Sequence, residues 1–320
     1  MKRVFAACLL SMLAAPAMAM QHHLLIVAGI GGTPSYDEQF ASQAGRMAEA
    51  ARAAGLAEND IVVLGAKPGG GKKPADKETL LATIARIAEE AGPRDRFFLV
   101  LIGHGNPRGD SAVFNLPGPD LAAGELAEAL EAFGERLVTV INTASASGPF
   151  VAPLSAANRV LITATSSGRE YQAPLFGEFF IAAFATPDAD RDKDERISML
   201  EAFDYARREV KRSYDGEKRL LIEHALLDDN GDGEGSLVAG EFESDGALAH
   251  RVYLQQPLTA EAGASGELLA LQERKQALEQ SISELKRQRD MLAHDDYYRQ
   301  LESLLIDLAL LNRRLRAEGD

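Results

Sequence analysis

Cysteine is almost absent: the 320-residue chain has one, Cys8. It lies within residues 1 to 19, which read as a secretory signal, with Lys2 and Arg3, an apolar stretch from Val4 to Leu13, and Ala17-Met18-Ala19 as a small-x-small cleavage site. Apolar residues continue past Cys8, so it is not placed as a lipid-modified cysteine at the cleavage point. The exported chain, starting near Met20 and secreted or periplasmic, then carries no thiol. That excludes disulfides, thiolate metal sites and a cysteine nucleophile together, although the compartment would permit disulfides. Long apolar runs are missing as well. Beyond the signal nothing approaches the roughly 18 uninterrupted apolar residues of a membrane span, so the product is expected to be soluble or peripherally attached. Positive charge is scarce: 34 Lys and Arg face 48 Asp and Glu, for a net charge of -14 that becomes -16 once Lys2 and Arg3 are removed. Such a surface repels the phosphates of nucleic acid, which is excluded as a partner, and draws divalent cations.

What is present is enough for a core. At 46% hydrophobic and 26% charged, the chain predicts one large domain over residues 20–256, a small-residue linker over 257–266, and a helical unit over 267–320. Buried strands are read at 23–29, 61–64, 97–102, 137–141 and 159–165, and helices at 36–54, 77–91 and 199–211. Strands alternating with helices through short loops predict an α/β fold, with a mostly parallel sheet flanked by helices. The loop Lys67 to Lys73 superficially fits a phosphate loop, but no Ser or Thr follows its lysine at the required place.

Ligands of parallel sheets bind beyond the carboxyl ends of the strands. Three successive strands end there in polar, small-residue motifs: Gly103-His104-Gly105, Asn142-Thr143-Ala144-Ser145-Ala146-Ser147-Gly148, and Ser166-Ser167-Gly168. Each alone fits a tight turn or a helix cap; together they predict a pocket in which His104 and Ser145 meet as base and nucleophile. With these residues in place the chain resembles the caspase-like fold of the legumain (asparaginyl endopeptidase) and metacaspase group. His104 falls on that family's catalytic histidine and Ala144-Ser145-Ala146-Ser147-Gly148 on its Ala-Cys-x-Ser-Gly. The resemblance covers roughly residues 22 to 210. It implies a peptide or protein ligand, and it puts Gly105 and the amide of residue 145 at the oxyanion hole. The departure is Ser145 in place of the family's cysteine. A thiol ionises near neutral pH and a hydroxyl does not, and no Asp or Glu is identifiable in the sequence as a partner for His104. The expectation is therefore a degenerate peptidase centre, with a Ser145/His104 hydrolase as the alternative.

Residues 190 to 201 fit a 12-residue, EF-hand-like calcium loop. Asp190, Asp192, Asp194, Arg196 through its carbonyl, Ser198 and Glu201 occupy positions 1, 3, 5, 7, 9 and 12. Glu195 departs from the glycine usual at position 6, where φ > 0 is needed. The same stretch also fits an acidic helix N-terminus. A second acidic loop places Asp228, Asn230 and Asp232 at positions 1, 3 and 5 with Gly233 at 6, but Ala239 at 12, so a second calcium would need Glu241, Glu243 or a water. His224, just before it, is expected to cap the preceding helix, with a place facing the active pocket as the alternative.

After the linker, Leu271, Leu278, Leu285 and Leu292 repeat every seven residues, and Leu301, Leu304, Leu308, Leu311 and Leu315 form a second run, with a break at 293–297. This predicts a helical hairpin or coiled coil that folds onto the domain, pairs with itself or forms a homo-oligomer. Lys275 and Arg289 on the first seam point to a loosely packed partner or to snorkelling stems. A scaffold acting through this hairpin is the third functional expectation.

Overall fold

The computed structural model describes residues 20–66, 73–240, 243–256, 266–287 and 289–319. The signal, most of the Lys67–Lys73 loop and nearly all of the linker lie outside them.

Phe97 to Ile102 are six consecutive buried residues, and they sit in the middle strand of the sheet, β4 (Arg96–Ile102). On one side β4 pairs in parallel with β1 (His22–Ala28), Leu24 opposite Phe98 and Ile26 opposite Val100. On the other it pairs in parallel with β8 (Val138–Asn142), Leu99 opposite Val140. Outward from β1 lie β2 (Ile61–Gly65) and β3 (Lys73–Pro74); outward from β8 lie β9 (Arg159–Thr163) and β10 (Leu226–Asp228), giving the order β10-β9-β8-β4-β1-β2-β3. Only β10 runs antiparallel.

Alternate residues of a strand face opposite sides, and helices cover both. Leu24, Ile26, Phe98 and Val100 pack with Phe40 and Met47 of α1 (Pro34–Ala53), Phe180 of α5 (Phe176–Ala183) and Phe203 of α6 (Met199–Gly216). Leu25, Val27, Leu99 and Leu101 pack with Leu80 and Ile84 of α2 (Lys77–Glu90) and Leu126 and Leu130 of α3 (Ala123–Leu130). The expected α/β class is the observed one. The helices begin where the sequence offers caps: the side chains of Thr33, Asp76 and Ser198 accept hydrogen bonds from the amides of Tyr36, Thr79 and Glu201.

Between β4 and α3 the chain makes a small antiparallel sheet that the sequence reading does not foresee, of β5 (Gly105–Arg108), β6 (Ser111–Phe114) and β7 (Leu121–Ala122). β5 and β6 join through a two-residue turn, in which Gly109 has φ 64°. A short helix α4 (Val151–Leu154) follows β8.

The C-terminal unit is a hairpin of α7 (Gly266–Arg287) and α8 (His294–Gly319), with Ile282, Leu285, Tyr297 and Leu311 buried. Its break falls earlier than expected: residues 294–297 form the first turn of α8, where Asp295 and Asp296 favour a helix N-terminus. Among the described residues no helix is long and apolar enough to cross a membrane.

Candidate functional site

His104 and Ser145 stand at the ends of adjacent strands, β4 and β8, but each is engaged elsewhere. The Ser145 hydroxyl donates to the Gly105 carbonyl at 3.1 Å and accepts from the Gly105 amide at 3.2 Å. Only glycine fits at 105, because a Cβ there would lie 2.5 Å from the Ser145 carbonyl oxygen. The amide of Gly105, one of the two residues that the resemblance puts at an oxyanion hole, is thus spent on the hydroxyl itself, and Ser145 is 2% exposed. His104 presents its ring edge-on to Tyr36 at 4.6 Å and Phe40 at 5.0 Å. Burial pulls its pKa below the ordinary value, against a hydrogen bond with the Gly31 backbone, so the imidazole is neutral at pH 7. Among the described residues no hydrogen bond joins His104 to Ser145. Tyr36 and Phe40 lie on α1, far from His104 in the chain, and no local motif points to them.

The third strand end closes over the second. Thr165 Oγ1 accepts from the amides of Ser147 and Gly148 at 2.7 and 3.2 Å. The Glu170 carbonyl accepts from the Ala146 amide, and the Glu170 carboxylate receives Ser166 Oγ together with the amide and Nδ1 of His224. The expectation that His224 caps the preceding helix is wrong. The cap of α6 is Glu217, and His224 lies past a segment without helix or strand, held 2.9 Å from Glu170. A cavity of about 280 Å³ lies beside the strand ends, lined by Ala164, Phe176, Val210, Leu221, His224 and Val238 among others, and neither His104 nor Ser145 borders it.

The Asp190 loop brings its carboxylates together. Oxygens of Asp190, Asp192 and Asp194 lie within 4.8 Å of one another, the spread expected of ligands around one cation at 2.3–2.6 Å. Amides fold inward to them: Asp194 and Glu195 donate to Asp190, and Arg196 to Asp194. Glu201 closes the loop from the first turn of α6, one oxygen receiving the Arg191 amide at 2.9 Å and the other the Ser198 amide at 2.9 Å. Of the remaining expected ligands, the Ser198 hydroxyl serves as helix cap, and the side chain of Arg196 lies over the Tyr253 ring at 3.6 Å. Desolvation first, then the Asp194 carboxylate, push the Asp192 pKa up to about 7 against the pull of Lys275. Neither loose packing nor snorkelling describes Lys275: it is buried, and its ammonium pairs with Asp194. These hard oxygen donors could hold a hard cation in place of the Lys275 ammonium.

In the Asp228 loop the side chains of Asn230 and Asp232 accept the amides of Asp232 and Glu234 at 2.8 and 2.7 Å. Asp228 is buried, and desolvation raises its pKa against hydrogen bonds from the Ser155 side chain and the Gly231 amide. Ala239 at the closing position belongs to the apolar core, so that position faces away from any ion. Glu241 lies outside the described residues, and Glu243 is exposed. Asp229, between Asp228 and Asn230, is an anchor that the sequence reading misses: its carboxylate receives the amides of Gly246, Leu248 and Ala249.

No family model and no curated protein matches the chain. Among solved structures, the crystal structure of protein GSU0716 from Geobacter sulfurreducens is similar over 65% of this chain and 92% of that one, with 14% identity and a TM-score of 0.45. That likeness is too distant to bear on function.

Proposed function

We propose that this is an exported, calcium-binding protein of the caspase-like (legumain and metacaspase) type whose peptidase centre is degenerate. The observation that carries the reading is the pairing of Ser145 with Gly105. A serine nucleophile needs an oriented base, and here the hydroxyl is buried and its proton is directed at a backbone carbonyl. Adjacent placement of the His104 and Ser145 strands supports the family reading, and the converging oxygens of Asp190, Asp192 and Asp194 support calcium. At the second loop the left-handed Gly231 and Gly233 and the amides accepted by Asn230 and Asp232 support a weaker calcium site with Asp228.

One experiment joins the two halves of the proposal. A fluorophosphonate should leave the protein unlabelled, while calcium at a hundredfold excess over its Kd should stabilise it by about 2.7 kcal/mol. The combined replacement Asp190→Ala and Glu201→Ala should remove the larger part of that gain. Stoichiometric labelling of Ser145 that disappears in His104→Ala would establish the serine hydrolase instead, and an unchanged melting curve in millimolar calcium would remove the metal.

The scaffold reading has its own support. Leu305, Ile306 and Leu310 of α8 are 45 to 55% exposed, an apolar surface suited to a second copy of the hairpin. Light scattering should give the full-length protein at least twice its monomer mass and a chain ending at Pro257 its monomer mass; the same number of subunits in both would rule the hairpin out as an association module.

A further inference from the structure

Lys275 reaches the Asp190 loop from α7, 81 residues along the chain from Asp194. Its ammonium pairs with Asp194 and stands 3.9 Å from Asp192, in a contact where the lysine side chain is 7% exposed and that of Asp194 3%. The loop's own basic residues face elsewhere. Arg191 pairs with Asp204 at 3.1 Å, Arg196 covers Tyr253, and Lys193 lies exposed with its ammonium 3.5 Å from the Pro187 carbonyl. The cation that meets the converging carboxylates therefore comes from the hairpin.

An ammonium and a calcium ion ask for the same oxygens but cannot share them. Calcium needs its ligands at 2.3–2.6 Å all round, and an ammonium in contact with Asp194 occupies part of that shell. A divalent ion also neutralises three acidic side chains better than a single positive charge does. Removing the lysine with nothing in its place would leave buried Asp194 uncompensated, which is costly; exchange for a metal would not. Among the described residues, neither apolar cluster of the α/β domain includes a residue of the hairpin, and the contact described between α7 and the Asp190 loop is the Lys275 ion pair.

We propose that Lys275 is a tethered, exchangeable counter-ion: calcium enters the Asp190 loop by displacing its ammonium and thereby detaches α7 from the α/β domain. This rests on the calcium reading of that loop. The coupling is reciprocal, so anything that captures the hairpin elsewhere tightens calcium binding at the loop.

Calorimetric titration of calcium into the full-length protein, its Lys275→Met variant and its Asp190→Ala, Glu201→Ala variant tests this, with hydrogen exchange of Gly266–Arg287 followed in each. Methionine keeps the unbranched stem without the charge. The loop's own binding event is the one absent from the double variant. In Lys275→Met that event should be about tenfold tighter, as expected when a competing closed state holds roughly nine-tenths of the wild-type molecules. Calcium should speed exchange in α7 of the wild type, and in Lys275→Met exchange should be fast without it. Equal affinities, or calcium binding that leaves α7 exchange unchanged, would overturn the counter-ion while leaving the calcium loop standing. Absence of the loop's binding event from both the wild type and Lys275→Met would overturn the calcium reading, and the exchange with it.

Discussion

In the loop that opens at Asp190 and the loop that opens at Asp228, the fourth and sixth residues are left-handed: Lys193 and Glu195 at φ 60° and 66°, Gly231 and Gly233 at 81° and 82°. In both, side chains at the third and fifth positions accept amides two residues ahead. The shared backbone is what wraps alternate oxygens toward one centre. The loops differ in what closes them. The first has Glu201 on a helix that starts at the right distance, and a lysine from the hairpin. The second has Ala239 turned into the core and two buried aspartates, Asp229 and Asp245, that tie it to the segment before Ala249. Ligand spacing in sequence therefore predicts the curl of such a loop. Its charge balance is set by elements that arrive from elsewhere.

The platform under the first loop gives the largest way to separate them. Tyr253 bridges Ser198, the Val252 carbonyl accepts the Met199 amide, and the next residue, Leu254, offers its carbonyl to His22 Nδ1 at 2.9 Å. Burial lowers the His22 pKa from 6.5 to about 4, outweighing that hydrogen bond, with Arg96 adding repulsion. The native state therefore binds fewer protons than the unfolded chain between those values. Stability from this group is whole above pH 6.5 and lost as pH falls toward 4, a gap worth about 3 kcal/mol. His22→Gln, which keeps a donor for Leu254 but does not titrate, should flatten the stability profile over that window. Segment-resolved exchange should show residues 252–254 and the start of α6 loosening before the Asp228 loop. A profile that His22→Gln leaves unchanged, or simultaneous loosening of both loops, would mean that they rest on one platform.

The sheet was legible because its evidence is local: five apolar runs with their closing polar residues appear as strands within a few positions of where periodicity puts them. The curl of the Asp190 loop was legible for the same reason, since its oxygens follow one another at every second residue. What the sequence concealed is contact over distance. Tyr36 and Phe40 occupy the sides of His104, Glu170 holds His224, and Lys275 enters the loop, and in each case the partners are joined only by the fold. Lys275 did stand out as a charge on an apolar seam. The hairpin pattern alone treats it as a packing defect, because the acidic partner lies on another element.

The sixth position offers the smallest effect and the most direct contrast, because the two loops should respond with opposite signs. An L-residue held left-handed costs about 1–2 kcal/mol, and glycine gives back roughly 0.5–1 through its freer unfolded chain. Glu195 is exposed at φ 66°, so Glu195→Gly should stabilise the protein by about 0.5 kcal/mol, about 1 °C in melting midpoint. Gly233 sits at φ 82°, and a Cβ there would meet Ala152 at 3.8 Å, an ordinary contact. Gly233→Ala should therefore cost about 0.5 kcal/mol through the backbone alone, without a clash to confuse the measurement. Thermal melts without calcium read both changes, and melts with calcium should show the Glu195→Gly gain retained, since the loop keeps its curl in either state. Were both substitutions to destabilise, the left-handed turn at Glu195 would be held by more than its backbone. The likeness between the loops would then end at their φ angles.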